Sequence, residues 1–97
     1  MEPVRDAIRR NDVEALRRLL DEDPGLIEGE PYSPLIIASM AGWTDVARLL
    51  VDRGADIERR DTVQCLTPLL WASTAGRVEM VELLLERGAK LSEWDEK

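Results

Sequence analysis

Ser33-Pro34-Leu35-Ile36-Ile37-Ala38-Ser39-Met40-Ala41-Gly42 returns, 34 residues on, as Thr67-Pro68-Leu69-Leu70-Trp71-Ala72-Ser73-Thr74-Ala75-Gly76. The tract behind it returns too. Asp45-Val46-Ala47-Arg48-Leu49-Leu50-Val51-Asp52-Arg53-Gly54-Ala55 is matched by Glu79-Met80-Val81-Glu82-Leu83-Leu84-Leu85-Glu86-Arg87-Gly88-Ala89, again offset by 34. Two landmarks at one period mark a tandem array, in which each unit needs its neighbour to shelter its apolar flank.

Each landmark has a local physical task. Ser33 and Thr67 are placed to accept hydrogen bonds from the orphan amides that open a helix. Pro34 and Pro68 follow at the first helical position, where a missing N–H is no loss. Gly42 and Gly76 stop this first helix and permit a tight turn. A second helix, roughly 44–53 and again 78–87, carries apolar residues at helical spacing and ends at Gly54 or Gly88. The unit is helix, turn, antiparallel helix and extended loop.

A weaker copy opens the chain. Glu2-Pro3-Val4 stands where Ser33-Pro34-Leu35 stands, Asn11 falls where Gly42 falls, and Asp12 to Leu20 form the second helix, closed near Asp23-Pro24-Gly25. Asp6 replaces Ile37 and Trp71, and Arg18 replaces Leu49 and Leu83. Polar residues at outward positions are what an N-terminal cap needs, because it has no neighbour on that side. The expectation is one domain of three units, at about 1–29, 30–62 and 63–97.

Ser33-Pro34-Leu35, Thr67-Pro68-Leu69, Ala38, Ala72, the two turn glycines and Gly54-Ala55-Asp56 with Gly88-Ala89 resemble the ankyrin repeat family over essentially the whole chain. The tetratricopeptide repeat shares a period of about 34, but its Trp-Leu-Gly-Tyr pattern is absent. The resemblance implies an all-α solenoid of three helix-turn-helix repeats joined by short hairpin-like loops. Three departures stand out. Ile36 and Leu70 replace the histidine that usually follows Thr-Pro-Leu. The loop from Glu58 to Leu66 is a residue longer than usual, and that from Ile27 to Tyr32 is a residue or two shorter.

The resemblance further implies a protein-binding module with its ligand surface on the concave face. Carried over residue by residue, that face comprises Tyr32, Met40, Trp43, Gln64, Leu66, Thr74 and Arg77, among them types enriched at interface centres. Met40 and Trp43 could equally cover the seam between repeats. At the other end, Val78 and Leu85 occupy positions that in this family meet a following repeat. Either Leu91 and Trp94 fold back over them, or another molecule covers them, or the array continues. The alternative function is a self-associating scaffold, natural or engineered, dimerising through Val78, Leu85, Leu91 and Trp94.

Composition narrows the field. The chain has 97 residues, 44% hydrophobic and 34% charged, a formal charge of −7 and no histidine. The negative charge disfavours nucleic acid and anionic membranes. The arginines nevertheless concentrate at Arg5, Arg9, Arg10, Arg17 and Arg18, opposite an acidic C-terminal end. Without histidine there is no Ser-His or Cys-His nucleophile pair, and one cysteine cannot assemble the usual zinc sites. No cofactor, metal or catalysis is expected. Cys65, the lone cysteine, fits a reducing compartment, and the expected location is cytoplasmic. Cys65 is expected to lie tucked beneath its loop as a small apolar residue.

Overall fold

The computed structural model describes residues 2–90. They form six α-helices, α1 (Glu2–Arg9), α2 (Val13–Glu22), α3 (Pro34–Ala41), α4 (Thr44–Asp52), α5 (Pro68–Thr74) and α6 (Val78–Glu86), with a 3-10 turn at Pro24–Ile27. There is no strand among the described residues. The architecture is the all-α stack of three helix pairs that the repeat implies.

The helix starts follow from side-chain capping. Ser33 Oγ accepts from the Ile36 amide at 3.2 Å, Thr67 Oγ1 from Leu70 at 3.3 Å, and Asp12 Oδ1 from Ala15 at 3.1 Å. The turns between paired helices require left-handed backbone, with φ of 55° at Asn11, 82° at Gly42 and 74° at Gly76. Asparagine tolerates that region better than most residues with a Cβ. The weak first copy therefore keeps the turn despite losing the glycine.

Helices of seven to ten residues are too short to persist alone. Packing supplies what propensity cannot. The first helices α1, α3 and α5 stand side by side, as do α2, α4 and α6, and the first row touches more extensively than the second. Ala7, Ala38 and Ala72, all buried, allow that close approach. Leu16, Leu20, Leu35, Val46, Leu50, Leu69, Met80 and Leu84 join them in one apolar cluster that runs through all three pairs.

Polar ties repeat along the stack and set its register. Asp21 pairs with Arg53 at 2.8 Å and Asp52 with Arg87 at 2.6 Å, joining the ends of successive second helices. In the loops, Glu28 Oε2 accepts from the Asp56 amide at 2.8 Å and Glu58 Oε2 from the Lys90 amide at 2.9 Å. Exposed pairs of this kind contribute roughly 0–1 kcal/mol each. They align repeats that the apolar seam holds together.

One expectation is overturned here. Cys65 is exposed, with φ of 61°, and is not tucked beneath the loop. The loop curls around a different residue, Asp61, whose carboxylate takes the space below it and gathers the amides of the segment.

Candidate functional site

Asp61 organises the loop-bearing face. Its side chain is only 2% accessible. Oδ1 accepts from the amides of Val63 at 2.8 Å, Gln64, and Cys65 at 3.2 Å. Oδ2 accepts from the Leu66 amide at 3.2 Å and from the Trp71 indole Nε1 at 2.7 Å. The Asp61 amide returns a bond to the Leu66 carbonyl at 3.1 Å. Burial raises the Asp61 pKa, but the hydrogen bonds from Gln64, Trp71, Leu66 and Val63 outweigh it and hold the pKa at about 2 against an ordinary 3.8. The carboxylate is therefore a fixed anion near neutrality, engaged by donors on both oxygens.

The indole that Asp61 grips is thereby locked in orientation. Tyr32, in the preceding loop, meets Trp71 edge to face with ring centroids 6.0 Å apart and planes at 81°. The Thr62 amide donates to the Pro31 carbonyl at 3.1 Å, so the two loops are also joined through backbone. Beside Tyr32 lies an open depression of about 480 Å³ lined by Arg5, Arg9, Pro31, Tyr32 and Ile37.

The residues expected at a concave face fall into two groups. Tyr32, Gln64 and Leu66 belong to the loop region; Gln64 is exposed, and Leu66 is half-buried. Met40, Trp43 and Arg77 gather instead at the α3–α4 turn. There the Arg77 Nε donates to the Met40 carbonyl at 3.0 Å, and Trp43 and Arg77 line a second depression of about 390 Å³ with Gly42, Gly76, Val78 and Met80. Trp43 is half-buried and packs against the core cluster. Thr74, exposed, closes α5. Tyr32 and Trp43 thus line separate depressions. At the end of the stack Val78 is 67% and Leu85 40% exposed, whereas Leu91 and Trp94 lie outside the described residues.

Sequence reasoning passed over Asp61, Trp71, Ile37, Arg5 and Arg9 as parts of a site. Asp61 had a local signal, because an Asp side chain in a loop readily accepts from backbone amides two residues on. Trp71 stood at a repeat position shared with Ile37, and that position reads as core. Nothing local indicated that α1 would set its two arginines beside Tyr32.

Among the described residues, no group of three or more Cys, Asp or Glu side chains is placed to hold a metal ion, and no helix is long and apolar enough to cross a membrane.

Comparison with known proteins agrees with this fold. The serine/threonine-protein kinase VIK of Arabidopsis thaliana is 44% identical over 55 residues, which is 54% of this chain and 13% of the kinase. The ankyrin repeat and SAM domain-containing protein 6 of Mus musculus is 32% identical over 60 residues, 59% of this chain and 7% of that protein. The chain thus spans a small fraction of the length of these relatives. Among solved structures, one of the Bdellovibrio bacteriovorus predatory endopeptidase Bd0816 in complex with immunity protein Bd3460 contains a chain of the same fold. The TM-score is 0.85 at 20% identity, over 95% of this chain and 49% of that one. A family model described as ankyrin repeats in three copies matches residues 5–95, and with the capped helix pairs and shared seam above, this chain belongs to the ankyrin repeat family.

Proposed function

We propose that the chain is a non-catalytic module that binds a protein or peptide through the concave face made by its loops and first helices. Ankyrin repeats generally mediate protein–protein interaction. The observation that carries the reading to this face is the Tyr32–Trp71 pair, held by the buried Asp61 carboxylate and set beside an open depression. Aromatic anchors that are rigid before binding lose little entropy on docking. Of the remaining face residues, Gln64 and Leu66 extend the loop part of that surface, and Met40, Trp43, Thr74 and Arg77 form its second part at the helix turns.

Affinity capture with the parent, Tyr32→Ala and Trp43→Ala, each first shown to melt cooperatively, separates the two depressions. Loss of captured protein with Tyr32→Ala assigns the loop region, and loss with Trp43→Ala assigns the turn region. Unchanged recovery with both sinks the concave-face reading.

A second reading has its own observation. Glu86 stands where Asp52 stands one repeat earlier, yet it meets no arginine among the described residues, and Val78 and Leu85 of the same helix are exposed. An end-to-end homodimer would cover that face. Light scattering is expected to report a mass that rises with concentration and returns to monomer in Val78→Glu/Leu85→Glu; a parent that stays monomeric at high concentration removes this reading.

A further inference from the structure

We propose that the depression between the first two repeats takes an extended acidic segment of another protein, with an apolar side chain next to its carboxylates. The inference rests on the binding reading above and names the chemistry of the partner. Its basis is the distribution of paired and unpaired arginines. Arg10, Arg17, Arg48, Arg53, Arg59 and Arg87 each meet a carboxylate of this chain. Arg5, Arg9, Arg18 and Arg77 meet none among the described residues, and of these only Arg5 and Arg9 line the depression, where they stand together.

That absence is not a shortage of acid. The chain carries 20 Asp and Glu against 13 Lys and Arg. Arg5 and Arg9 are one turn apart on α1, a spacing at which like charges repel. The fold nevertheless leaves them side by side, facing open space. Arginine presents a planar fork of donors that matches a carboxylate in bidentate fashion.

The rest of the lining selects among acidic ligands. Pro31, Tyr32 and Ile37 form an apolar wall next to the two cations. A carboxylate on the arginines would therefore place a neighbouring side chain on that wall. The depression is open to solvent and not enclosed, which suits an extended segment better than an enclosed small molecule. A nucleic acid is disfavoured, because its affinity grows with the number of phosphates neutralised. Only two unpaired cations are offered here, on a chain of net charge −7. At physiological salt, charges more than about 8 Å away are largely screened. The local pair can therefore attract an acidic segment despite the overall negative charge.

The test is selection of a displayed library of random 12-residue peptides on the intact chain, in parallel with Arg5→Glu/Arg9→Glu. The parent is expected to enrich peptides with Asp or Glu within a few positions of a large apolar residue, and the charge-reversed chain to lose them. Synthetic copies of the enriched peptides should bind Arg5→Ala/Arg9→Ala about tenfold more weakly, and the parent more weakly as salt rises. The alanine pair keeps the test open if charge reversal disturbs the fold. Enrichment of neutral or basic peptides overturns the inference. So do acidic peptides whose affinity ignores both arginines, and displacement of them by a 12-residue oligothymidylate. If peptides of another composition bind and are lost with Tyr32→Ala, this inference fails while the concave-face reading stands; if nothing binds, this inference fails and affinity capture alone decides the concave-face reading.

Discussion

Leu50→Ala is expected to lower the unfolding free energy by about 3–4 kcal/mol, the range for a large core truncation whose cavity cannot collapse. Leu50 is fully buried in α4, the second helix of the middle pair. That helix packs against both α2 and α6, so its surroundings are held from two sides. A domain of this length has a total stability of roughly 5–15 kcal/mol, so the truncation removes a large share of it. The melting temperature should fall by about 12–32 °C, at 4–8 °C per kcal/mol for a small domain. Leu85→Ala provides the comparison, since Leu85, in α6, is 40% exposed. It should cost about 1 kcal/mol, because a partly exposed side chain loses less transfer free energy on truncation and leaves no closed cavity. Equal losses in urea titrations of the two variants would mean that the seam does not run where the burial places it.

The second large effect belongs to Asp61. Asp61→Asn keeps the shape of the side chain but replaces one acceptor oxygen with an amide that donates. In either orientation, at least two of the five N–H groups now aimed at the carboxylate would face another donor. Buried donors stripped of a charged partner cost about 1–3 kcal/mol each before the loop relaxes, and a net loss of about 2–4 kcal/mol is expected. The acid dependence identifies the cause. The folded-state pKa of about 2 lies below the ordinary 3.8, so the charged form is the one the fold favours. Its contribution is fully present above the unfolded value and disappears as pH falls from about 4 towards 2. Denaturant titrations of the parent should therefore lose more stability across that window than those of Asp61→Asn. Matching slopes would show that some other group carries the acid sensitivity.

The two effects differ in how far they could be read along the chain. Leu50 falls in a Leu-Leu-Val run one period from Leu84, and helical spacing alone puts it on the buried flank. Asp61 lies in a loop whose length departs from the family's usual spacing. Turn chemistry accounts for its bonds to Val63, Gln64, Cys65 and Leu66, all within five residues. The bond to Trp71 requires α5 to be in place, and only with it does the carboxylate control the orientation of an aromatic ring. Cys65 is misread for the same reason: the space beneath the loop goes to the group with the most donors to satisfy.

The site divides along the same line. Tyr32, Trp43 and Arg77 stand out by residue type, but their distribution over two depressions depends on the offset between stacked pairs. Arg5 and Arg9 were visible as charges, whereas their lack of carboxylate partners is a property of the packed surface.

From the sequence alone came the period, the capped helix starts, the left-handed turns, the buried flank and the family resemblance. All of these depend on contacts within a few residues, or on one unit repeating the next. Tertiary structure alone decided which loop meets which ring, which arginines stay unpaired and where the open depressions lie. Those outcomes join groups far apart in the chain, as Tyr32 with Trp71 or Arg5 with Tyr32, and the angle and offset at which short helix pairs stack are set by summed packing of the whole seam.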